Sequence, residues 1–197
     1  MPKHNKLTGT GYKMIITRFL PINQFDQYGD WLKSQDAETC ELYFGVAGSD
    51  HVIDSLIDRV KTYYSDHWIL VAQDKDQWVG TLHIAADADT IEFGLIVKPE
   101  YRGQGIASRM LEEALVWAKN RQYRELFMHC LGWNKPIQHL CHKHGLRPSN
   151  MYGDSEVKIA LDPPSWLTII QEAGIANRNI WHTWLQNSSM LYQEIYG

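Results

Sequence analysis

VKPEYRGQGIA, residues 97–107, carries an apolar strand into a glycine-punctuated turn and on into a helix, and the rest of the chain can be read outward from that passage. Gly103 and Gly105 lack the side chains that would keep an anion off the backbone, and they open backbone angles closed to other residues. The helix that follows starts with unpaired N–H groups and the positive end of its dipole. A phosphate group could therefore rest against the amides of Gly103, Gln104, Gly105, Ile106, Ala107 and Ser108. Arg102 and Arg109 add positive charge nearby. Strand-to-helix loops also use two glycines merely to turn, so the spacing alone leaves both readings open.

Before this loop, residues 90–97 alternate: Ile91, Phe93, Leu95 and Val97 fall on one face and Glu92 on the other. After it, Ile106, Met110, Leu111, Ala114, Trp117 and Ala118 recur on one helical face with charge opposite, so this helix is expected to lie on a sheet. Upstream, residues 14–20 read as a strand, 21–33 as a helical stretch, and 50–64 as a helix with an apolar stripe from Val52, Ile53, Leu56, Ile57 and Val60. Residues 68–73 and 77–85, joined by Asp74, Lys75 and Asp76, form an expected hairpin, with 90–97 as the third strand of the meander. Downstream come a strand at 125–130, a helix from Asn134 to about His144 stopped by Gly145, and a strand at 156–161. That order is an α+β layout with a mostly antiparallel sheet.

The 197 residues suffice for one domain and an appendage, and 44% apolar content supports a real core. A net charge of -4 and a pI near 6.1, with no dense basic stretch, argue against nucleic acid as a partner. Cys40, Cys130 and Cys141 make an odd set without paired spacing, which suits a reducing compartment. No run approaches the roughly 18 apolar residues that cross a bilayer, so no membrane partner and a cytoplasmic location are expected.

Arg102, Gly105 and Ala107 match the Arg/Gln-x-x-Gly-x-Gly/Ala signature of the GNAT superfamily of acyl-CoA-dependent N-acyltransferases, with the Val-x-Pro-x-Tyr-Arg-Gly lead-in found in many members. Residues 134–146 resemble the family's Asn-x-x-Ala-x-x-Leu-Tyr-x-Lys-x-Gly-Phe block. The resemblance implies a GNAT fold over residues 13–163, after a leader at 1–12 and before a C-terminal helical extension at 164–197. It also implies acetyl-CoA as cosubstrate, held by Arg102 through Ser108 and by the backbone of Leu95, Ile96 and Val97, with Asn134 reaching the pantetheine arm from the other side. As a plain alternative, Asn134 caps its helix.

Acyl transfer from a thioester needs a neutral amine, and an amine of pKa near 10 is only about 0.1% neutral at pH 7. A base is therefore valuable. Glu92 is the candidate, facing away from the densest apolar set and matching a glutamate in several GNAT subfamilies; the bland reading is a solvated or salt-bridged strand residue. A β-bulge, common in this strand of the family, would shift which residues point inward. The resemblance also implies that backbone amides near Leu95 to Val97 stabilise the developing oxyanion, and Gly94 would allow close approach. Cys141 stands where many relatives carry the tyrosine that protonates the departing thiolate. Its thiol can donate, but with Ile137, Leu140 and His144 it also forms an apolar stripe that reads as packed core.

His129, Cys130, His139, Cys141, His142 and His144 invite a metal site, but no paired spacing anchors the set and none is expected. His83 reads as a sheet histidine. Acceptor recognition is expected from Asp36, Glu38, Glu41, Tyr43, Phe44 and Asp50, where acids beside aromatics suit a cationic amine. After Pro163 and Pro164, Ser165 should cap a short helix that ends at Gly174. A second helix should follow with Ile180, Trp181, Trp184, Leu185, Leu191, Tyr192 and Ile195, packed on the domain or on a second copy in a homodimer. The expected activity is direct transfer of an acetyl group from acetyl-CoA to a small or protein amine. The alternative is a non-catalytic acyl-CoA-binding module.

Overall fold

The computed structural model describes residues 15–45, 50–131, 134–146, 149–151 and 154–180, and for 129–131, 149–151 and 154–158 it describes the backbone. The expected leader, Met14 and the expected helix beyond residue 180 lie outside the described residues. Seven strands form one sheet in the order β1-β2-β3-β4-β5-β7-β6. They are β1 (Ile15–Phe19), β2 (His67–Asp74), β3 (Gln77–Asp87), β4 (Thr90–Val97), β5 (Glu125–Leu131), β6 (Ser149–Met151) and β7 (Asp154–Ala160). All neighbouring strands are antiparallel except β4 and β5.

The period of two along the central strands sorts side chains into two cores. Leu70, Ala72, Leu82, Ile84, Ile91 and Phe93 face α4 (Ile106–Asn120), whose Met110, Leu111, Ala114 and Ala118 are almost wholly enclosed. Ile69, Val71 and Ile96 face the other way, onto Phe25, Tyr28 and Leu32 of α1 (Phe25–Lys33) and Ile53, Ile57 and Val60 of α3 (Asp50–Thr62). Covered on both faces, β2 is buried without a break from Ile69 to Ala72. Each enclosed side chain of this size contributes about 1.5–3 kcal/mol by leaving water. Among the described residues no helix is long and apolar enough to cross a membrane.

The structure adds two elements to the sequence reading. Ala37–Phe44 forms α2 inside what was read as connecting loop, capped by Asp36, whose side chain accepts from the Thr39 N–H, and ended by Gly45 at φ 74°. The short β6 pairs with β7 at the sheet's far edge. The closing helices also differ from expectation. Ser165 does cap, accepting from the Thr168 N–H at 3.2 Å, but residues 166–180 form one helix, α6, straight through Gly174.

Polar groups dock α6 on the domain. Asn120 Nδ2 donates to Glu172 at 2.6 Å, Arg121 pairs with Glu172 at 2.9 Å, and Arg109 donates to Asn179 at 3.2 Å. Trp166, Leu167, Ile169 and Ile170 are exposed, and so is Ile180, which was expected to be packed. Beneath Asn179, Thr17 donates to the buried Glu113 at 2.6 Å, and burial raises the Glu113 carboxyl above its ordinary range against the opposing pull of Thr17. A raised acid contributes most below its ordinary pKa, and that contribution is lost as pH rises through the raised value. Glu113→Gln, which still accepts from Thr17, should therefore raise the melting temperature by about 2–4 °C at pH 8 and leave it nearly unchanged at pH 4. Thermal melts at the two pH values check this.

Candidate active site

The one parallel pairing is short. Thr90, Ile91 and Glu92 stand opposite Glu125, Leu126 and Phe127, and then the two strands part. β4 continues to Val97 with β3 on its other side, and β5 continues to Leu131 with β7 on its other side. From Gly94 onward the facing edges of β4 and β5 form a wedge. Antiparallel pairing uses the backbone groups of alternate residues, so half of those in Gly94–Val97 bond β3 and half open on the wedge. The β3–β4 register runs unbroken from Thr90 to Val97, so the bulge considered for this strand is absent and strict alternation holds. Glu92 is exposed, on the α1–α3 side with Gly94 and Ile96, and among the described residues it makes no ion pair or hydrogen bond.

α2 roofs this narrow end. A Cβ built on Gly94 would stand 2.5 Å from the Tyr43 hydroxyl oxygen and 2.8 Å from its ring, so the phenol rests directly on the bare backbone of β4. Burial pushes the Tyr43 phenol up to about 12; the charge of Glu92 adds to the rise, and Arg59 opposes it. The next residue back, Leu42, offers its carbonyl to Asn134 Nδ2 at 3.5 Å. Asn134 also caps α5 (Lys135–Lys143), its Oδ1 accepting from the Ile137 N–H at 3.2 Å. Of the residues expected at the acceptor, Tyr43 stands at the wedge. Asp36 is spent on capping α2, its carboxyl held low by hydrogen bonds from Thr39.

At the wide end, Gly103 and Gly105 adopt φ 73° and 78°, and nothing lies within 4 Å of where a Cβ would stand on either. Gly105 begins α4 without a side-chain cap, leaving first-turn N–H groups to face open space. Arg102 does not extend into that space. Its Nε donates to Val97 O at 3.1 Å and its NH2 to Thr39 Oγ1 at 2.7 Å, bolting the loop to β4 and to α2. Arg109 also departs from expectation, turning away to Ile15 O at 2.8 Å. Gln104 donates to Glu100 O at 3.0 Å, Ile106 is buried, and Ala107 packs against the core. Ser108, buried, joins His144 Nε2 at 2.7 Å and accepts from Lys143 Nζ at 2.8 Å. Lys143 thus brings a cation to the first turn of α4 that the sequence reading did not count.

Cys141 is wholly enclosed in the core between sheet and α4. Its thiol therefore sits among packed apolar residues, as the core reading of its helical stripe expects. His83 is buried across the ladder from Gly94, its Nε2 3.0 Å from His67 Nδ1, with the two rings stacked. Burial, then His67 and Arg59, push His83 down to about 3, so it stays neutral. Among the described residues no three His, Cys, Asp or Glu side chains gather as a metal site requires.

The model of the acetyltransferase (GNAT) family matches residues 30–146. No curated protein matches the sequence. Among solved structures, the chain is similar to the GNAT domain of S. lividans PAT, with 17% identity, TM-score 0.64, and coverage of 74% of this chain and 89% of that one. It is similar to spermidine N-acetyltransferase from Vibrio cholerae in complex with CoA and spermine, at 15% identity and TM-score 0.59, covering 75% and 95%. PaiA N-acetyltransferase from Thermoplasma acidophilum in complex with coenzyme A gives 19%, 0.58, 75% and 99%. At such identities the likeness is one of fold.

The neutral histidine pair carries a pH signature. The unfolded chain binds a proton at His83 near 6.5 while the folded chain refuses it until about 3, so stability present above 6.5 is lost as pH falls through that window. The slope is at most about 1.4 kcal/mol per pH unit. Denaturant melts from pH 7 to 5 should show a shallower fall for His83→Gln than for the parent chain, and imidazole NMR should show no protonation of His83 above pH 5.

Proposed function

Because the chain belongs to the acetyltransferase (GNAT) family, we propose that it transfers the acetyl group of acetyl-CoA to a primary amine, directly and with both substrates bound. The observation that carries this reading is the wedge: a strand edge opening just past Glu92 and leading, beyond Val97, to glycines at positive φ with empty space before them. These features fit coenzyme A. Open N–H groups at Gly103–Ala107 suit a pyrophosphate, with Lys143 at the first turn of α4 adding positive charge. The half of the Gly94–Val97 backbone that does not bond β3 suits an extended amide-bearing arm, which would add itself to β4 as a strand does. Asn134 borders the same opening from the side of α5.

The chemistry follows from what stands at the narrow end. An ammonium group must lose a proton before it can attack, and Glu92 is an exposed carboxylate without an ion pair among the described residues. The N–H groups among Leu95, Ile96 and Val97 that open on the wedge can donate to the carbonyl oxygen as it becomes negative. The acceptor enters beneath α2, past Tyr43 and Phe44. The second reading, a non-catalytic acyl-CoA-binding module, draws on the burial of Cys141.

Thiol release from acetyl-CoA against polyamines, amino acids, aminoglycosides and lysine peptides tests the proposal, with calorimetric CoA binding alongside. The spermine held by the Vibrio cholerae structure makes a polyamine the first amine to try. Turnover with one class is expected; binding without turnover across the panel would favour the module. Glu92→Gln should lower kcat about 10²–10⁴-fold with CoA affinity retained. Gly105→Glu places a carboxylate in the cradle on a backbone held at φ 78°, and should abolish CoA binding. Normal CoA affinity in that variant, folded by circular dichroism, would remove the cradle from the reading.

A further inference from the structure

Acetyl transfer as proposed above needs one more group, an acid for the departing thiolate. Resting on that reading, we propose that Tyr43 protonates the thiolate of coenzyme A, supplying from α2 what Cys141 of α5 does not.

Position is the first argument. Position 141 is sealed in the core between sheet and α4. Tyr43 lies on the opposite side, its hydroxyl on Gly94, and the absence of a side chain there is what lets a phenol come so close to β4. Gly94 stands two residues beyond Glu92, where the wedge begins, and shares its face. An acyl arm anchored at the glycine cradle and laid back along the open edge of β4 brings its thioester to this narrow end. There Tyr43 and Glu92 flank it.

The hydroxyl of Tyr28 is the second argument. It is wholly buried and lies within hydrogen-bonding reach of Tyr43 and Thr81, in a geometry short of a well-formed bond. When the neighbouring phenol oxygen turns negative, Tyr28 can donate to it, and a hydrogen bond to a charged oxygen is stronger than one to a neutral hydroxyl. Tyr28 is accordingly a positioning residue for the acid.

The charged and titratable groups around Tyr43 agree with this role. Glu92 faces it from β4, Arg59 from α3, Tyr28 from α1, and His83, held neutral, stands across the ladder from Gly94 on β3. Enclosure keeps the phenol protonated at neutral pH. The part of its raised pKa that comes from the charge of Glu92 vanishes once Glu92 has taken a proton, so the first transfer strengthens the acid needed for the second. The balance is complete: Glu92 first takes the ammonium proton and releases it to solvent, the neutral amine nitrogen then bonds the acetyl carbon and gives its second proton to Glu92, and the C–S bond breaks with its electron pair going to sulfur. Sulfur takes the Tyr43 proton, and Glu92 returns the amine's proton to the phenolate.

Tyr43→Phe removes one oxygen and tests the assignment. With the amine that turns over best, kcat should fall about 10- to 100-fold. By calorimetry, affinity for desulfo-CoA should not change, while the preference for CoA over desulfo-CoA at pH 9, where the thiol is ionised, should disappear. A fluorinated tyrosine at position 43, nearly the same shape but more acidic, should keep neutral-pH turnover and move the alkaline limb of kcat to lower pH, which a merely structural role would not do. Turnover of Tyr43→Phe equal to the parent chain overturns the proposal. If the parent chain releases no thiol with any amine, the acetyl-transfer reading fails separately. The CoA against desulfo-CoA comparison then decides alone: an unchanged preference in Tyr43→Phe overturns the contact, and its loss supports it.

Discussion

Three rungs of parallel pairing, Thr90 to Glu92 against Glu125 to Phe127, are the constraint on which the rest depends. Were the pairing to run on to Val97, the sheet would be closed and no backbone would be left for a ligand. Were it missing, β1–β4 and β5–β7 would be two unconnected halves. Unpaired strand backbone away from water is expensive, so the parting persists only because each side is held by something stronger. β4 is held by its full antiparallel register with β3 and by two apolar cores, and β5 is held by seven rungs to β7.

Around that opening, polar contacts hold the parts in place. Asn134 ties α5 to α2 across the narrow end, and Arg102 ties the glycine loop to both β4 and α2. The aromatic and histidine groups beneath α2 are kept uncharged by burial, so among the described residues the floor near Glu92 is polar without an ion pair to it. The docking of α6 is of another kind: hydrogen bonds and ion pairs at Asn120, Arg121, Arg109 and Thr17 hold it, with its large apolar groups outward.

The elements legible in the sequence were those whose period is written by burial. Strand β4 alternates because one face meets α4 and the other α1 and α3; helix α4 shows its stripe because six apolar residues meet one sheet. Helix α2 lacks such a stripe, since only Thr39 and Cys40 are buried in it, and its legible signals were its ends, Asp36 and Gly45. Gly174 was read as a stop, but an exposed helix tolerates glycine for about 1 kcal/mol. The glycine loop was legible because φ near +75° demands glycine. The directions of Arg102 and Arg109 were not, because they are set by Thr39 and Ile15, far away in sequence. Tyr43 was legible only as one aromatic among acids, since its place over Gly94 belongs to the tertiary fold alone.

The fork of Arg102 has a thermodynamic corollary. One guanidinium holds the loop that would receive phosphate and the helix that roofs the narrow end, so the free energy of ordering either segment is shared with the other. Occupancy at the loop and occupancy beneath α2 are then linked functions: whatever factor the first ligand imposes on the affinity of the second, the second imposes on the first. The reciprocity would pass through Thr39 Oγ1, a single hydroxyl 2.7 Å from the arginine.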